Sequence, residues 1–264
     1  MTNADDIKLR VAPLVDKQLS PLGVAAMSKL ELRPGDRVID VGCGAGQTCQ
    51  QLAERVGDTG TVLGVDISPA MIAHAANRTA ALNQVSIKLA DAQTYPFPSG
   101  SAEAIFSRFG VMFFDDPVAA FSNLRCALSP EGRLAFVCWR SLEENELDNV
   151  PLEVARPHLP NALSKGLEKD PPFSFADPDK VRSILATAGF DDICVEPHTE
   201  AVTTGNVETM LDAALSVGTL GRIVRENPDL RQTVEPSVRT ALEKRQGKLN
   251  AAVWIVTAAV PSSS

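Results

Sequence analysis

The sequence lacks the marks of a membrane or secreted protein. It has no run of about 18 apolar residues, so no segment is expected to cross a bilayer. Its first ten residues, MTNADDIKLR, contain two adjacent aspartates and no apolar centre, and we expect no signal peptide there. The five cysteines form no CxxC pair, and none lies beside a histidine at metal-ligand spacing. We therefore expect reduced thiols, no metal site and a cytoplasmic location.

Basic residues are also fewer than acidic ones. The net charge is −8, whereas non-specific binding to nucleic acid or to an anionic membrane requires a basic surface. Neither partner is therefore expected, although a local basic pocket is compatible with this balance. The 264 residues, 44% of them hydrophobic, suffice for one large α/β domain or for one domain with a sizeable insertion. The oligomeric state is left open, with a homodimer among the options.

Apolar runs and helical patterns alternate five times between residues 35 and 140. The runs read RVIDVG, TVLGVDIS, VSIKLAD, AEAIFSRFG and GRLAFVCWR, and they are nearly continuous in apolar residues. Such runs are typical of parallel strands covered by helices on both faces. We therefore predict an α/β fold with a cofactor-binding core over residues 35–140.

The flanking segments follow a different pattern. Residues 1–31 have helical spacing interrupted by Pro13 and Pro21, which predicts two short helices. After the core, the chain resumes with one helix and a strand, DDICVEP, and ends with a last strand, KLNAAVWIVTAAV. Residues 261–264 read as a loose tail. We treat residues 1–264 as a single domain.

Two further segments interrupt the predicted sheet. Residues 141–172 contain five prolines and no evident strand, and residues 205–246 read as helices. Long insertions in a compact domain are commonly binding walls or lids. We predict that both form a helical cap over the strand ends and contact a substrate.

The stretch VIDVGCGAGQ, residues 38–47, links the first strand to the first helix of the core. Its glycines Gly42, Gly44 and Gly46 allow positive φ and a close approach of the backbone to a ligand. The second strand ends at Asp66, 24 residues after Gly42, where a carboxylate can accept hydrogen bonds from both hydroxyls of a ribose. The pattern predicts a site for an adenosine-like ligand.

The spacing of these glycines bears on the type of ligand. A dinucleotide site has the pattern G-x-G-x-x-G, whereas here the third glycine comes one residue early and position 47 is glutamine. Asp40, beside the turn, would repel a pyrophosphate and would suit a cation. A nicotinamide-dependent oxidoreductase would also need a Tyr/Lys pair, and Tyr95 is the only tyrosine. A nicotinamide-dependent oxidoreductase is therefore the weaker hypothesis, and a protein that binds a positively charged ligand is the stronger one.

At this point the sequence resembles the class I S-adenosylmethionine-dependent methyltransferases. VIDVGCGAGQ and VLGVDIS look like the first two motifs of that family, LADAQTYPFPSGSAEAIFSRFGVMFF like the third and fourth, and LSPEGRLAFVCWR like the fifth. The residues of these motifs most resemble those of the small-molecule branch that includes ubiquinone and menaquinone C-methyltransferases. The resemblance implies a Rossmann-like, doubly wound sheet of seven strands in the order 3-2-1-4-5-7-6, mostly parallel with strand 7 antiparallel.

The resemblance also implies roles in binding S-adenosylmethionine, whose product is S-adenosylhomocysteine. Asp40 and the glycine turn would hold the methionine end, Asp66 would bind the ribose, and the backbone at Ser107 and Arg108 would close the amino-acid end. The adenine would lie between Ile67 and Met71 and meet Asp91 and the N–H of Ala92. The predicted cofactor site comprises Asp40, Gly42, Cys43, Gly44, Gly46, Gln47, Asp66, Ile67, Met71, Asp91, Ala92, Ser107 and Arg108.

Structural alternatives stand beside several of these roles. Asp66 could be a neighbour of a helix cap, Met71 a core residue and Asp91 a turn former. Cys43 reads as a small filler of the turn because no histidine lies nearby in sequence.

The acceptor is predicted to be a small hydrophobic or aromatic molecule. The fourth strand is followed by apolar residues, not by the Asn/Asp-Pro-Pro-aromatic tetrapeptide of enzymes that methylate adenine or cytosine amines. We expect Phe109 and Phe113 to border the acceptor, with Trp139 and Arg140 at the same edge. Core packing for the phenylalanines and a surface ion pair for Arg140 are the alternatives.

Methyl transfer needs placement of the acceptor and exclusion of water more than a fixed catalytic residue. A general base is optional, and His158 in the proline-rich insertion is the weak candidate. A non-catalytic S-adenosylmethionine-binding protein therefore remains an alternative. A metal-assisted, catechol-type enzyme is a further one, although its ligands cannot be assigned in this sequence.

Overall fold

The computed structural model describes residues 4–160 and 171–261. The strands are β1 (Arg37–Val41), β2 (Thr61–Asp66), β3 (Val85–Leu89), β4 (Ala102–Arg108), β5 (Leu128–Trp139), β6 (Asp191–Val202) and β7 (Leu249–Ala259). The helices are α1 (Ala4–Ser28), α2 (Gln47–Val56), α3 (Pro69–Thr79), α4 (Pro117–Ala127), α5 (Glu146–Ala155), α6 (Pro178–Thr187), α7 (Val207–Ala214), α8 (Gly218–Glu226) and α9 (Leu230–Glu243). Short 3-10 turns occur at Val111–Phe113, Arg156–His158 and Pro171–Phe173. Part of the predicted insertion and most of the predicted tail lie outside the described residues.

The strands form one seven-stranded sheet in the order β3-β2-β1-β4-β5-β7-β6. Strands β1 to β5 pair in parallel, and β7 pairs antiparallel with both β5 and β6. The predicted fold class and strand order are confirmed. The order reverses between β1 and β4, and in such sheets ligands bind beyond the carboxyl ends of the strands at that point.

The centre of the sheet is buried on both faces. Phe106 in β4 and Phe136 in β5 have no exposed surface, and Phe121 of α4 stacks on Phe136 with ring centroids 5.5 Å apart. The continuous apolar runs of the sequence therefore correspond to strands that are covered by helices, as predicted. This rigid centre fixes the loops that follow β1, β2 and β4.

Helix starts follow the capping residues of the sequence. Ser68 Oγ accepts from the backbone N of Met71 at 3.3 Å, and Pro69 occupies the first turn of α3, both as predicted. Asp116 Oδ1 accepts from the backbone N of Ala119 at 3.0 Å at the start of α4. These caps place α3 and α4 directly after the loops that surround the sheet edge.

The N-terminal prediction of two short helices is wrong. Residues Ala4–Ser28 form a single helix that contains both Pro13 and Pro21. Both prolines are exposed, so they lie on the face of the helix that is directed to solvent. The opposite face packs into the core through Val11, Leu22, Ala26 and Met27. Tertiary packing of this face outweighs the local cost of proline in a helix.

Helices α5, α7, α8 and α9 pack on one another, and α7 also contacts α1. The Asp148 carboxylate in α5 accepts from the backbone N of Thr219 at 2.8 Å and so joins α5 to the start of α8. These helices come from the two segments that were predicted to form a cap. Within residues 4–160 and 171–261, no helix combines the length and the apolar composition that a bilayer crossing requires.

Candidate active site

The glycine turn lies between β1 and α2, at the reversal of strand order. Gly42, Gly44 and Gly46 have φ of +71°, +53° and +86°, a region that other residues rarely adopt. A Cβ on Gly42 would lie 2.8 Å from the Cα of Gly110, in the loop after β4. The two loops therefore approach as closely as their backbones allow. Only glycine fits this approach at position 42.

Asp66, the last residue of β2, is joined to this turn. Its Oδ2 accepts from the backbone N of Gly44 at 3.0 Å, and its Oδ1 accepts from the backbone N of Ser68 at 2.9 Å. Each carboxylate oxygen has a second lone pair, so the group retains acceptor capacity. The carboxylate is thus oriented by the backbone and is half-buried at the wall of a cleft.

We call this cleft the cofactor cleft. It is lined by Val41, Gly42, Val65, Asp66, Ile67, Ala90, Asp91, Ala92, Gln93, Gly110, Phe113, Phe114 and Asp115. The structure therefore brings together Gly42, Asp66, Ile67, Asp91 and Ala92 of the predicted site. Ile67 is 70% exposed, which is unusual for an isoleucine and leaves an apolar surface at the cleft.

The other predicted cofactor residues do not line this cleft. Met71 is half-buried in the first turn of α3, and Cys43 is a buried residue within the glycine turn. Gly44, Gly46 and Gln47 continue the turn towards α2. Their placement fits a ligand that extends from the cleft along the turn.

Asp40 lies beneath the turn, not in the cleft. Its side chain has no exposed surface, and its Oδ2 accepts from Thr48 Oγ1 at 2.5 Å and from Cys49 Sγ at 3.2 Å. Its Oδ1 is buried without a hydrogen-bond partner among the described residues. Burial is the main cause that raises the pKa of Asp40 to about 6. A buried carboxylate with an unpaired oxygen fits a cationic group close to the turn.

Ser107 and Arg108 connect elements around the site through their side chains. Ser107 Oγ donates to the carbonyl of Val41 at 2.8 Å and accepts from the backbone N of Gly110 at 3.1 Å. Arg108 donates to Gln47 Oε1 at 2.5 Å. Ser107 therefore links β1 to the loop after β4, and Arg108 links that loop to the end of the glycine turn.

The cofactor cleft is also lined by Asp91, which was predicted, and by Gln93, Phe114 and Asp115, which were not. Asp91 Oδ1 accepts from the backbone N of Gln93 at 2.9 Å, so Asp91 does form a turn, and it lines the cleft as well. Gln93 Oε1 accepts from the backbone N of Asp115 at 2.7 Å and closes the cleft on that side. Gln93 lies two residues after Asp91, and Phe114 belongs to the apolar residues that follow the fourth strand, so both had a signal in the sequence, whereas Asp115 had none.

A second cavity, which we call the apolar cavity, encloses about 890 Å³ including its open mouth. It is lined by Val15, Gln18, Leu19, Phe109, Met112, Phe113, Trp139, Leu147, Asp148, Pro151, Pro172, Met210, Ala213, Ala214, Val217, Gly218, Leu220 and Leu249. Phe109 stacks on Trp139, with ring centroids 4.0 Å apart and planes 17° apart. Phe109 has φ of +63°, which is a strained conformation for an aromatic residue. Phe113 lines both the apolar cavity and the cofactor cleft.

Arg140 is not part of the apolar cavity. Successive residues of a strand point to opposite faces, and Arg140 directly follows Trp139, so the two side chains diverge. The guanidinium pairs with Glu144 and lies 5.1 Å from the centre of the Trp254 ring. The surface ion pair that stood as the alternative for Arg140 is therefore what the structure contains.

His158 is also away from both cavities. Its ring is exposed, and Nε2 lies 3.2 Å from Ser237 Oγ of α9. The candidate role of His158 as a general base therefore has no support in its position. Two polar residues of the apolar cavity, Gln18 and Asp148, carried no sequence signal, because one lies in α1 and the other in the cap.

Comparison with known proteins agrees with this geometry. Residues 38–132 match the family described as a methyltransferase domain. Aklanonic acid methyltransferase DauC from Streptomyces sp. (strain C5) is 35% identical over 119 residues, 44% of this chain and 54% of that protein. Demethylmenaquinone methyltransferase from Staphylococcus epidermidis is 26% identical and covers 67% of this chain and 76% of that protein. A crystal structure of an S-adenosylmethionine-dependent methyltransferase from Aquifex aeolicus has a TM-score of 0.56 at 20% identity, covering 97% of this chain and 99% of that one.

These findings confirm the predicted class. The chain carries the cofactor-binding core of a class I S-adenosylmethionine-dependent methyltransferase, and S-adenosylmethionine is the cofactor of that class. For three relatives of 33–36% identity, the matched segment is 54%, 40% and 41% of the relative, so the chain spans about half their length. Most residues that line the apolar cavity lie outside residues 38–132. The apolar cavity is therefore built largely by parts of the chain beyond the family match.

Proposed function

We propose that this protein transfers a methyl group from S-adenosylmethionine to a small, mainly apolar molecule bound in the apolar cavity. Phe113 carries this proposal because it lines both the cofactor cleft and the apolar cavity. A molecule in the apolar cavity would therefore lie next to one in the cofactor cleft. Adjacent sites for donor and acceptor are what a direct group transfer requires.

For the cofactor, we propose the following residue roles, which the positions of these residues support. Asp66 would bind the ribose hydroxyls, since its carboxylate is already oriented by two backbone N–H groups. Asp91 and Ala92 would meet the edge of the adenine, and the exposed side chain of Ile67 would cover its face. Asp40, with its unpaired buried Oδ1, would favour the ammonium of the methionine end near the glycine turn.

The cofactor, the acceptor and the protein each contribute a different part of the proposed methyl transfer. When bound, S-adenosylmethionine supplies a methyl group activated by a positively charged sulfur. The acceptor provides the electron pair for its new bond to that carbon as the sulfur–carbon bond breaks, and it gives up a proton. The protein contributes orientation, through the Phe109–Trp139 stack and Phe113, and a cavity with apolar walls that excludes water. Orientation alone is worth about 7–11 kcal/mol of the barrier in well-aligned reactions.

The names of two relatives support a small organic acceptor. One is named for aklanonic acid and the other for demethylmenaquinone. The walls of the apolar cavity are mainly hydrocarbon, with the stacked Phe109 and Trp139 at one side. We therefore propose a ring-containing acceptor. We also propose a cytoplasmic location, because all five cysteines are free thiols in the structure.

Two measurements test the function. Calorimetric titration with S-adenosylmethionine, S-adenosylhomocysteine and NAD should show binding of the first two and none of NAD. Incubation with S-adenosylmethionine and a panel of apolar phenols, quinols and aromatic acids should then yield S-adenosylhomocysteine and a product heavier by one methylene. Asp66→Ala is the negative control. Tight cofactor binding with no turnover above that control would favour a non-catalytic binding protein.

A further inference from the structure

Gln18 is a polar residue in a cavity that is otherwise mainly hydrocarbon. It lies on α1 between Val15 and Leu19, which line the same cavity, and it is 5% exposed. An amide buried among apolar groups is unfavourable unless its hydrogen-bonding groups are satisfied. The amide of Gln18 is therefore expected to need a hydrogen-bond partner at this position.

The partner that the protein supplies is weak. Gln18 Nε2 donates to Met210 Sδ at 3.3 Å, and a thioether sulfur is a poor acceptor. The same sulfur also accepts from the backbone N of Thr204 at 3.3 Å. In residues 4–160 and 171–261, the Gln18 side chain makes no other hydrogen bond. Its second N–H and its carbonyl oxygen are left for a molecule in the apolar cavity.

The helix that carries Gln18 is fixed against the cofactor-binding core. Asp16, two residues earlier, is 6% exposed and accepts from Arg78 at 2.5 Å and from Arg108 at 2.9 Å. Arg108 also donates to Gln47 at the end of the glycine turn. The Gln18 amide lines the apolar cavity, and the position of its helix is fixed by the Asp16–Arg108 ion pair next to the glycine turn.

Asp148, the other polar side chain of the cavity, has a structural partner. Its Oδ1 accepts from the backbone N of Thr219 at 2.8 Å, at the start of α8. A Cβ on the neighbouring Gly218 would lie 2.8 Å from that same oxygen. Asp148 is thus engaged in holding the cap, whereas Gln18 is engaged only with sulfur.

We propose that Gln18 recognises a hydroxyl or carbonyl oxygen of the acceptor and so sets its orientation in the apolar cavity. The proposal rests on the proposed function and narrows it: the acceptor is an apolar ring compound that carries an oxygen. A plain hydrocarbon would leave the amide without a partner beyond Met210. Gln18 is therefore a positioning and specificity residue of the acceptor site.

The test compares two probes that differ by one hydroxyl, 1-naphthol and naphthalene. Their dissociation constants are measured by equilibrium dialysis with the full chain and saturating S-adenosylhomocysteine. Gln18→Met keeps the length of the side chain but removes the amide, and Met210→Leu removes the sulfur but keeps the amide. The ratio of the two affinities is expected to shift at least about five-fold towards naphthalene in Gln18→Met. Met210→Leu should keep the preference of the wild type or increase it.

The outcomes separate this inference from the proposed function. If both probes bind and the ratio in Gln18→Met stays within two-fold of the wild type, Gln18 is only a structural residue and the inference is overturned. If neither probe binds the wild type, the apolar cavity is not the acceptor site, and the proposed function loses its acceptor site together with the inference. Binding of S-adenosylhomocysteine by each variant shows that it is folded. Gln18→Leu provides the same comparison if Gln18→Met does not fold.

Discussion

The backbone N–H of Gly44 donates to Asp66 Oδ2 at 3.0 Å, so the glycine turn and the end of β2 form one unit. The positive φ of Gly44 lets that N–H face the carboxylate. The second oxygen is held by Ser68, which also caps α3. The proposed ribose acceptor is therefore preorganised before any ligand binds, and preorganised groups lose little entropy on binding.

Asp66→Ala is expected to weaken binding of S-adenosylmethionine at least about 100-fold. Two hydrogen bonds from ribose hydroxyls to a charged acceptor are each worth about 1.5–3 kcal/mol. The measurement is calorimetric titration, with circular dichroism to establish that the fold is retained. Asp58→Ala, which removes an exposed carboxylate after α2, is the matched control and should bind normally. Binding by Asp66→Ala within a few-fold of the wild type would show that the ribose assignment is wrong.

Phe113→Ala should separate binding from stability. The side chain is 55% exposed, so its removal should lower the free energy of unfolding by less than about 1 kcal/mol. It lines the cofactor cleft and the apolar cavity, and its loss should weaken S-adenosylhomocysteine binding about 3- to 10-fold. Urea denaturation and calorimetry provide the two values. Val24→Ala, at an exposed apolar position of α1, is the control. Unchanged binding of S-adenosylhomocysteine by Phe113→Ala would show that Phe113 does not contact the cofactor and is not a wall shared by the two sites.

The sheet could be predicted from the sequence because buried parallel strands read as continuous apolar runs. The central run AEAIFSRFG became β4, with both Ile105 and Phe106 fully buried. The edge strand β6 was harder to delimit, and it extends to Val202, beyond the predicted DDICVEP. An edge strand has exposed residues along its length, so its apolar signal fades. The single helix α1 was missed because its prolines face solvent, which local rules do not register.

The candidate site also contains residues that the sequence predicts and residues that only tertiary packing brings together. Asp66 and the glycine turn were predictable, since strand ends in this fold meet at one edge and the residues lie within one strand–helix–strand unit. Gln18, Asp148 and Met210 meet only because α1, α5 and α7 pack together, and no local pattern links residues so far apart in sequence. Arg140 was expected beside the acceptor together with Trp139, but adjacent residues of a strand point to opposite faces, and only Trp139 lines the apolar cavity.

Asp16→Ala is expected to be strongly destabilising. Asp16 is 6% exposed and pairs with both Arg78 and Arg108, so its loss leaves two part-buried cations facing each other. Removing one partner of a buried ion pair costs about 3–5 kcal/mol. Urea denaturation measures the change in the free energy of unfolding. Asp179→Ala breaks the exposed pair with Arg182 and should cost no more than about 1 kcal/mol. A cost below that value for Asp16→Ala would mean that the ion pairs of Asp16 contribute little to the attachment of α1.

Asp40 should make the stability of the protein depend on pH. Burial raises its pKa from 3.8 to about 6, so between these values the native state retains a proton that the unfolded chain has released. The free energy of unfolding therefore falls as pH rises through this window, by about 3 kcal/mol in total. Asp40→Asn is neutral at every pH, and an amide oxygen can still accept from Thr48. We expect this variant to be more stable than the wild type at pH 7 and the difference to shrink below pH 4, as measured by urea denaturation.

The same residue should link cofactor binding to pH with the opposite sign. An ammonium near the glycine turn favours the ionised form of Asp40, which is lost as pH falls through about 6. The affinity for S-adenosylmethionine should therefore fall below pH 6 in the wild type, by at most about tenfold per pH unit. Asp40→Asn should bind weakly at pH 7.5 and lack this dependence, whereas Asp91→Asn, at an exposed position of the cofactor cleft, should retain it. Equal affinity of Asp40→Asn and the wild type at pH 7.5 would show that the buried carboxylate does not serve the methionine end. Gain of stability together with loss of binding would instead show that the protein keeps a destabilising charge at this position because the cofactor needs it.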